Sequence, residues 1–115
     1  MTDAEFQLIL DKLGEYLSKE KRFINNPIRQ TEIKNAFIKA RQLFPDASIA
    51  LKADPLEMGA LIMTIAAYDI TLRGATEIKI FSEIISLVDN FEIYVLKDQR
   101  LCFAAVFDDA LINID

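Results

Sequence analysis

The sequence predicts an α+β domain in which about four α-helices precede a C-terminal antiparallel β-hairpin, or a three-stranded meander, packed on a central apolar helix. Three observations carry that prediction. Apolar residues recur at helical spacing through the first half of the chain. Residues 55–73 form a nearly unbroken apolar stretch behind a strong helix-start signal. Past residue 90 the apolar period changes from 3.6 to 2, and a polar tetrad separates two strand-like runs.

The first helix opens on a capping box. Thr2 can accept from the amide of Glu5, and the Glu5 side chain can reach back to Thr2. Phe6, Ile9, Leu10, Leu13 and Leu17 then make one apolar face, and the helix should run to about Lys19. Glu15 and Lys19 are spaced for an i,i+4 ion pair. Asn26 can cap a second helix with Pro27 at its first position, Thr31 being the later alternative start. Ile33, Ala36, Phe37, Ala40, Leu43 and Phe44 mark its apolar face, and Pro45 stops it. Ile49 and Leu51 alternate with Ala50 and Lys52, which suits a short strand or merely extended chain.

Asp54 as cap, Pro55 at the first helical position and Glu57 two residues on predict a third helix over 55–73, ended by Gly74. Being apolar on nearly every side, it should be the central, buried helix. Ala60, Thr64, Ala67 and Thr71 form a stripe of small residues on it, and Asp69 can pair with Arg73 in its last turn. A fourth helix should start near Thr76, carry Ile78, Phe81, Ile84, Ile85 and Val88 on one face, and end at Asp89 and Asn90. Residues 68–81 also read as a hairpin around Gly74, because Ile70 and Leu72, then Ile78 and Ile80, alternate. Residues 91–96 and 101–107 are the two strands of the C-terminal hairpin. With Asp98 and Gln99 as a two-residue turn, Val95 faces Cys102, Ile93 faces Ala104 and Phe91 faces Val106. Tyr94, Leu96, Leu101, Phe103 and Phe107 then share the other face. Asp108 and Asp109 could turn the chain into a third strand over 110–114.

Composition bounds the function. A chain of 115 residues, 52% hydrophobic, is expected to form one domain over 1–115. The formal charge of −5 is unevenly placed. Residues 1–53 hold nine Lys/Arg against seven Asp/Glu, while 54–115 hold four against eleven, so the halves carry +2 and −7. The sole cysteine, Cys102, cannot close an internal disulfide, which fits a reducing compartment. Charged residues from Asp3 onward argue against a signal peptide, and the apolar run over 58–68 is too short to span a bilayer. A cytoplasmic protein is expected. The absence of histidine removes the usual general base and the commonest metal ligand. Three scattered glycines supply neither a phosphate-binding loop nor a dinucleotide fingerprint.

The remaining candidates for chemistry have plainer readings. Asp108, Asp109, Asn113 and Asp115 lack the spacing of a calcium loop, so no metal is expected and a solvated or partner-facing acidic turn is favoured. Glu57 is explained by capping and Asp69 by Arg73. Cys102 sits among Leu101, Phe103 and Ala104 as a packed thiol with no base in sight. Lys19, Lys21 and Arg22, with Arg29 and the neighbouring Phe23, make a basic knot that reads as a solvated helix end, and no nucleic acid is expected. No catalytic residue and no cofactor is expected. The leading expectation is a non-enzymatic, acidic protein-binding module of the inhibitor, immunity, anti-defence or adaptor kind, acting on a basic partner. Glu92, Tyr94, Asp98, Asp108 and Asp109 would make the contact, with Tyr94 as aromatic anchor. One alternative is a ligand pocket between the central helix and the sheet, lined by Thr64, Tyr68, Tyr94 and Phe103. The other is a homo-oligomer joined through the hairpin.

Overall fold

The computed structural model describes residues 1–20, 23–54 and 60–107, with no side-chain detail at 53, 54 and 60. The elements run α1 (Asp3–Lys19), α2 (Pro27–Leu43), β1 (Ser48–Asp54), β2 (Ala60–Ala67), α3 (Ala75–Leu87), β3 (Asn90–Val95) and β4 (Leu101–Phe107). The four strands form one antiparallel sheet in the order β1-β2-β4-β3.

The local signals at both N-terminal helices act as the sequence implies. Thr2 Oγ1 accepts from the amide of Glu5 at 3.1 Å, and Glu5 Oε1 accepts from the amide of Thr2 at 2.9 Å. Asn26 Oδ1 accepts from the amide of Arg29 at 3.1 Å with Pro27 at the first position, so α2 starts there and not at Thr31. The chain leaves α2 at Phe44, just before Pro45. Gly74, at φ 119° and ψ 175°, occupies backbone space that is nearly closed to residues with a Cβ, and α3 begins immediately after it. Residues 68–81 therefore hold a loop and the start of a helix, not a hairpin.

The largest departure from expectation is the stretch over 55–73. Residues 60–67 form β2, an inner strand of the sheet, so there is no central helix and the described chain has three helices. The physical reason is that a strand buried on both faces is as uniformly apolar as a buried helix. Periodicity cannot separate the two. The β-branched Ile62, Thr64 and Ile65 suit the pleated conformation, and β1 supplies a hairpin partner from Ser48↔Ala66 to Asp54↔Ala60. The cap residues Pro55 and Glu57 and the third strand expected over 110–114 lie outside the described residues.

The β3–β4 hairpin forms, one residue out of the expected register. Val95 pairs with Leu101, Ile93 with Phe103 and Phe91 with Ala105. The loop has three residues, not two. Gln99 N donates to Leu96 O at 3.0 Å, Leu96 N donates to Arg100 O at 2.9 Å, and Gln99 takes the left-handed conformation at φ 73°. This is a type I turn closed by a bulge. The slip exchanges faces along one strand relative to the other. Phe103, Ala105 and Phe107 now share a face with Phe91, Ile93 and Val95, and Cys102, Ala104 and Val106 share the opposite face with Tyr94, Glu92 and Asn90.

The first of these faces is the core side. Phe103, Ala105, Phe107, Leu61, Met63, Ile65, Ala67 and Ile49 pack in one cluster with Phe6, Leu13 and Leu17 of α1, Ile33, Phe37 and Ala40 of α2, and Ile84 of α3. Its aromatic centre joins Phe81 of α3 to Phe91 and Phe103 at 5.9 and 5.8 Å between ring centroids, and Phe44 to Phe103 at 6.0 Å. Phe37 stacks on Phe107 at 6.4 Å.

Two arginines fasten the ends of α2 to this frame. Arg29 Nη1 donates to Leu87 O at 2.7 Å, Nη2 pairs with Asp89 Oδ2 at 2.7 Å, and the guanidinium lies over the Phe107 ring at 5.6 Å. Arg41 Nη1 donates to Pro45 O at 2.8 Å, Nη2 pairs with Asp3 at 3.1 Å, and the group lies over the Phe6 ring at 5.8 Å. Arg29 thus serves the interior of the fold and does not belong to the basic knot expected with Lys19. Lys19 itself pairs with Glu15 at 2.8 Å, and Lys21 and Arg22 lie outside the described residues. Arg29→Leu keeps the packing volume but removes the guanidinium donor from the Leu87 carbonyl and the Asp89 carboxylate. It should cost about 2–3 kcal/mol, read as a lowered midpoint in denaturant unfolding with an unchanged slope.

Candidate functional site

β3 is an edge strand, and its surroundings differ from those of the other edge. At β1, Ile49 is 2% exposed beneath the helices. At β3 the core-side residues Ile93 and Val95 are 59% and 62% exposed. Phe81 anchors α3 on Phe91, and Lys39 of α2 pairs with Glu83 on another side of α3 at 3.3 Å. With about 100° of rotation per helical residue, Ile78 and Ile85 lie next to Phe81 on the flank away from Glu83. Both are exposed. Among the described residues, five of the ten exposed large apolar residues belong to α3 and β3: Ile78, Ile85, Ile93 and Val95, and Tyr94 on the sheet face opposite the helices. Exposed apolar residues grouped on neighbouring elements mark an interaction site more often than scattered residues do.

The hydrogen-bonding direction along β3 follows from the turn. Leu96 bonds across to Arg100, so alternation aims the main-chain groups of Glu92 and Tyr94 at β4 and those of Phe91, Ile93 and Val95 at the free edge. One of these outward groups is already engaged, since Phe91 N donates to Asn90 Oδ1 at 2.9 Å.

The face of the sheet opposite the helices carries Thr64, Ala66, Cys102 and Ala104, all buried and none part of the main core cluster. Tyr94 stands directly across from Cys102 and Glu92 from Ala104. The Tyr94 hydroxyl is held above its ordinary pKa, foremost by the Cys102 side chain directly across the strand pair, with partial desolvation and the Glu92 carboxylate adding to the shift. Asp98 sits at the hairpin tip. It accepts from Arg100 N at 3.1 Å and Arg100 Nε at 2.8 Å, and the backbone bond foremost holds its carboxyl below the usual range.

Glu92 and Tyr94 therefore share one strand face with Asp98 at the turn beyond it, while Asp108 and Asp109 lie outside the described residues. The four pocket residues are not brought together. Thr64 and Tyr94 are on the face opposite the helices, Phe103 is in the aromatic core, and Tyr68 follows the end of β2 at 75% exposure. The charge polarity of the sequence is partly spent inside the fold, through Arg29–Asp89 and Lys39–Glu83. Ile78 and Ile85 were the residues sequence reasoning missed, because their helical spacing places them beside core residues on the same wheel.

A separate cleft of about 360 Å³ lies where α2 ends and α3 begins. Asp46, Asp69, Arg73 and Glu77 line it with Pro45 and Thr71. Thr71 donates its hydroxyl to Asp69 at 2.7 Å. Glu77 Oε2 is buried with no hydrogen-bond partner among the described residues. Such a wall offers acceptors to a cationic or donor-bearing ligand. Among the described residues no cluster of three or more His, Cys, Asp or Glu is placed to hold a metal ion, and no helix is long and apolar enough to cross a membrane. No protein-family model, curated protein or solved structure matches the chain.

The Tyr94–Cys102 contact has a measurable consequence. The raised folded-state value means that the neutral phenol is favoured in the folded protein. This contribution is present below the ordinary tyrosine pKa and is lost as pH climbs through the folded value. In a Tyr16→Phe/Tyr68→Phe background, the near-ultraviolet phenolate signal of Tyr94 should appear at higher pH than in the unfolded chain. Cys102→Ala should bring it closer to the ordinary value.

Proposed function

We infer that the chain is a non-enzymatic protein-binding module whose contact surface is the free edge of β3 with the exposed flank of α3. The observation that carries this reading is the concentration of exposed Ile78, Ile85, Ile93, Tyr94 and Val95 beside an edge strand with outward main-chain groups. A partner adding a strand there gains main-chain hydrogen bonds and apolar burial together. Glu92 requires a cation or a hydrogen-bond donor opposite it, which is the role left for charge in choosing the partner. The lack of histidine and the burial of the single cysteine support a binding role over catalysis. Inhibitor, immunity-type, anti-defence and adaptor proteins all fit this description. Ile93→Lys/Val95→Lys replaces two exposed side chains and should leave the fold and its melting midpoint nearly unchanged. In affinity capture from native cells, proteins retained by the wild type should be lost with this variant. Equal retention by both would end the reading.

Small-ligand binding is a second reading, favoured by the unpartnered Glu77 Oε2 in the wall of the α2–α3 cleft. It predicts that an amine-bearing probe such as spermidine raises the melting midpoint and that Glu77→Gln abolishes the rise. An identical rise in both proteins would assign the effect to general charge screening.

A further inference from the structure

We propose that the occupant of the β3 edge is a second copy of this chain, paired antiparallel across a two-fold axis at Ile93 to make one continuous eight-stranded sheet. The proposal rests on the reading of this edge as the contact surface and supplies the partner.

The argument is one of self-complementarity. Only Phe91, Ile93 and Val95 aim main-chain groups outward, so a second strand must place its own outward residues against them. For two identical strands with a symmetric contact, three registers set at least two outward residues against outward residues. One sets Glu92 against Glu92 of the second copy, a like-charge pair between directly opposed residues. Another sets Tyr94 against Tyr94, and it leaves Phe91 without a strand residue opposite. The register centred on Ile93 sets Ile93 against Ile93, Phe91 against Val95 and Glu92 against Tyr94. It is the one that uses the full strand with Phe91, Ile93 and Val95 each opposite an apolar residue and no charge opposite its own kind. It also carries Lys97, just past β3, toward the turn of the second copy that holds Asp89.

The main chain agrees with the side chains. Ile93 is a hydrogen-bonded pair with itself in this register, giving two symmetric N–H to O bonds at the axis. Val95 N then donates to Phe91 O of the second copy, twice by symmetry. These four bonds leave undisturbed the Phe91 N–H that Asn90 already occupies. The pairing also adds apolar contact on the helix side. Ile93 and Val95 lie on the same sheet face as α3, and the exposed stripe of Ile78 and Ile85 flanks that helix. A two-fold axis at the strand centre brings the two copies of this stripe toward one another. An interface of backbone bonds with an apolar side is isologous and closed, so it stops at two copies.

Sedimentation equilibrium over micromolar to near-millimolar concentration tests the proposal. The expected result is a dimer. Tyr94→Glu should weaken it at least tenfold by setting a carboxylate against Glu92. Glu92→Lys/Tyr94→Glu should restore it by pairing Lys with Glu across the same register. Ile93→Pro removes both the outward N–H and the Ile93 side chain at the axis and should also dissociate the dimer. Circular dichroism of each variant establishes that it is folded. A wild-type protein that stays monomeric throughout overturns the proposal. In that case the contact-surface reading still stands if capture of another protein depends on Ile93 and Val95. A dimer indifferent to Tyr94→Glu and Ile93→Pro also overturns the proposal, and the capture experiment then decides the contact-surface reading by itself.

Discussion

The guanidinium of Arg29 holds together three parts of the chain that have no covalent reason to meet. It lies one turn into α2, accepts no competition from bulk water at 12% side-chain exposure, and reaches the last carbonyl of α3, the carboxylate before β3 and the ring of Phe107. An arginine does this where a lysine could not, because its planar fork gives two directed donors and a face that stacks on an aromatic ring. The junction from α3 into β3 fixes where the last hairpin starts. That hairpin supplies Phe91, Phe103 and Phe107 to the core. Arg41 at the other end of α2 bonds to Pro45 and to Asp3 and covers Phe6, so one arginine ties α2 to the last hairpin and the other ties it to α1.

This arrangement gives the charge polarity of the sequence a structural meaning. The positive half and the negative half are not simply two surfaces offered to different partners. Arg29 and Lys39 on α2 meet Asp89 and Glu83 at the two elements that follow the sheet's first hairpin. Surface ion pairs contribute little each, but the Arg29 pair is mostly sheltered and backed by a main-chain hydrogen bond, which raises its weight. The carboxylate left over on the β3 face, Glu92, then matters for selectivity and not for overall attraction.

The helices α1 and α2 were legible because each carries a start signal that acts locally, Thr2 with Glu5 and Asn26 with Pro27. α3 was legible from its apolar face, and Gly74, read as the end of a preceding helix, instead stands at its start. β2 was not, since Thr64 is the lone polar residue among Leu61, Ile62, Met63, Ile65, Ala66 and Ala67 and reveals no period, and the local start signal at Asp54 and Pro55 favoured helix. Only the presence of β1 and β4 on either side decides the matter, and that is tertiary information. The hairpin was legible but not its register, because Gln99 adopts a left-handed conformation usually advertised by glycine or asparagine. That single residue put Phe103 and Tyr94 on opposite faces, and the expected pocket also lost its helical wall because Thr64 lies in β2. Glu92 and Tyr94 were legible as outward residues of the last hairpin. The α3 flank that completes their surface was hidden in a helical pattern that looked wholly core-facing.

A free β-edge bearing isoleucine, tyrosine and valine would ordinarily invite open-ended association. Features of this edge restrict what can join it. Asn90 occupies the first outward N–H, which shortens the usable ladder at one end. The left-handed turn at Gln99 ends the ladder at the other, leaving about one strand's width of pairing. Between them, Glu92 sits mid-strand, where a one-step error in a symmetric register would oppose two carboxylates. Short length and an internal charge are the usual protections of an edge strand. Here they also make the edge selective: an incoming strand must be brief, antiparallel and correctly registered to gain the apolar contact that Ile93 and Val95 hold out.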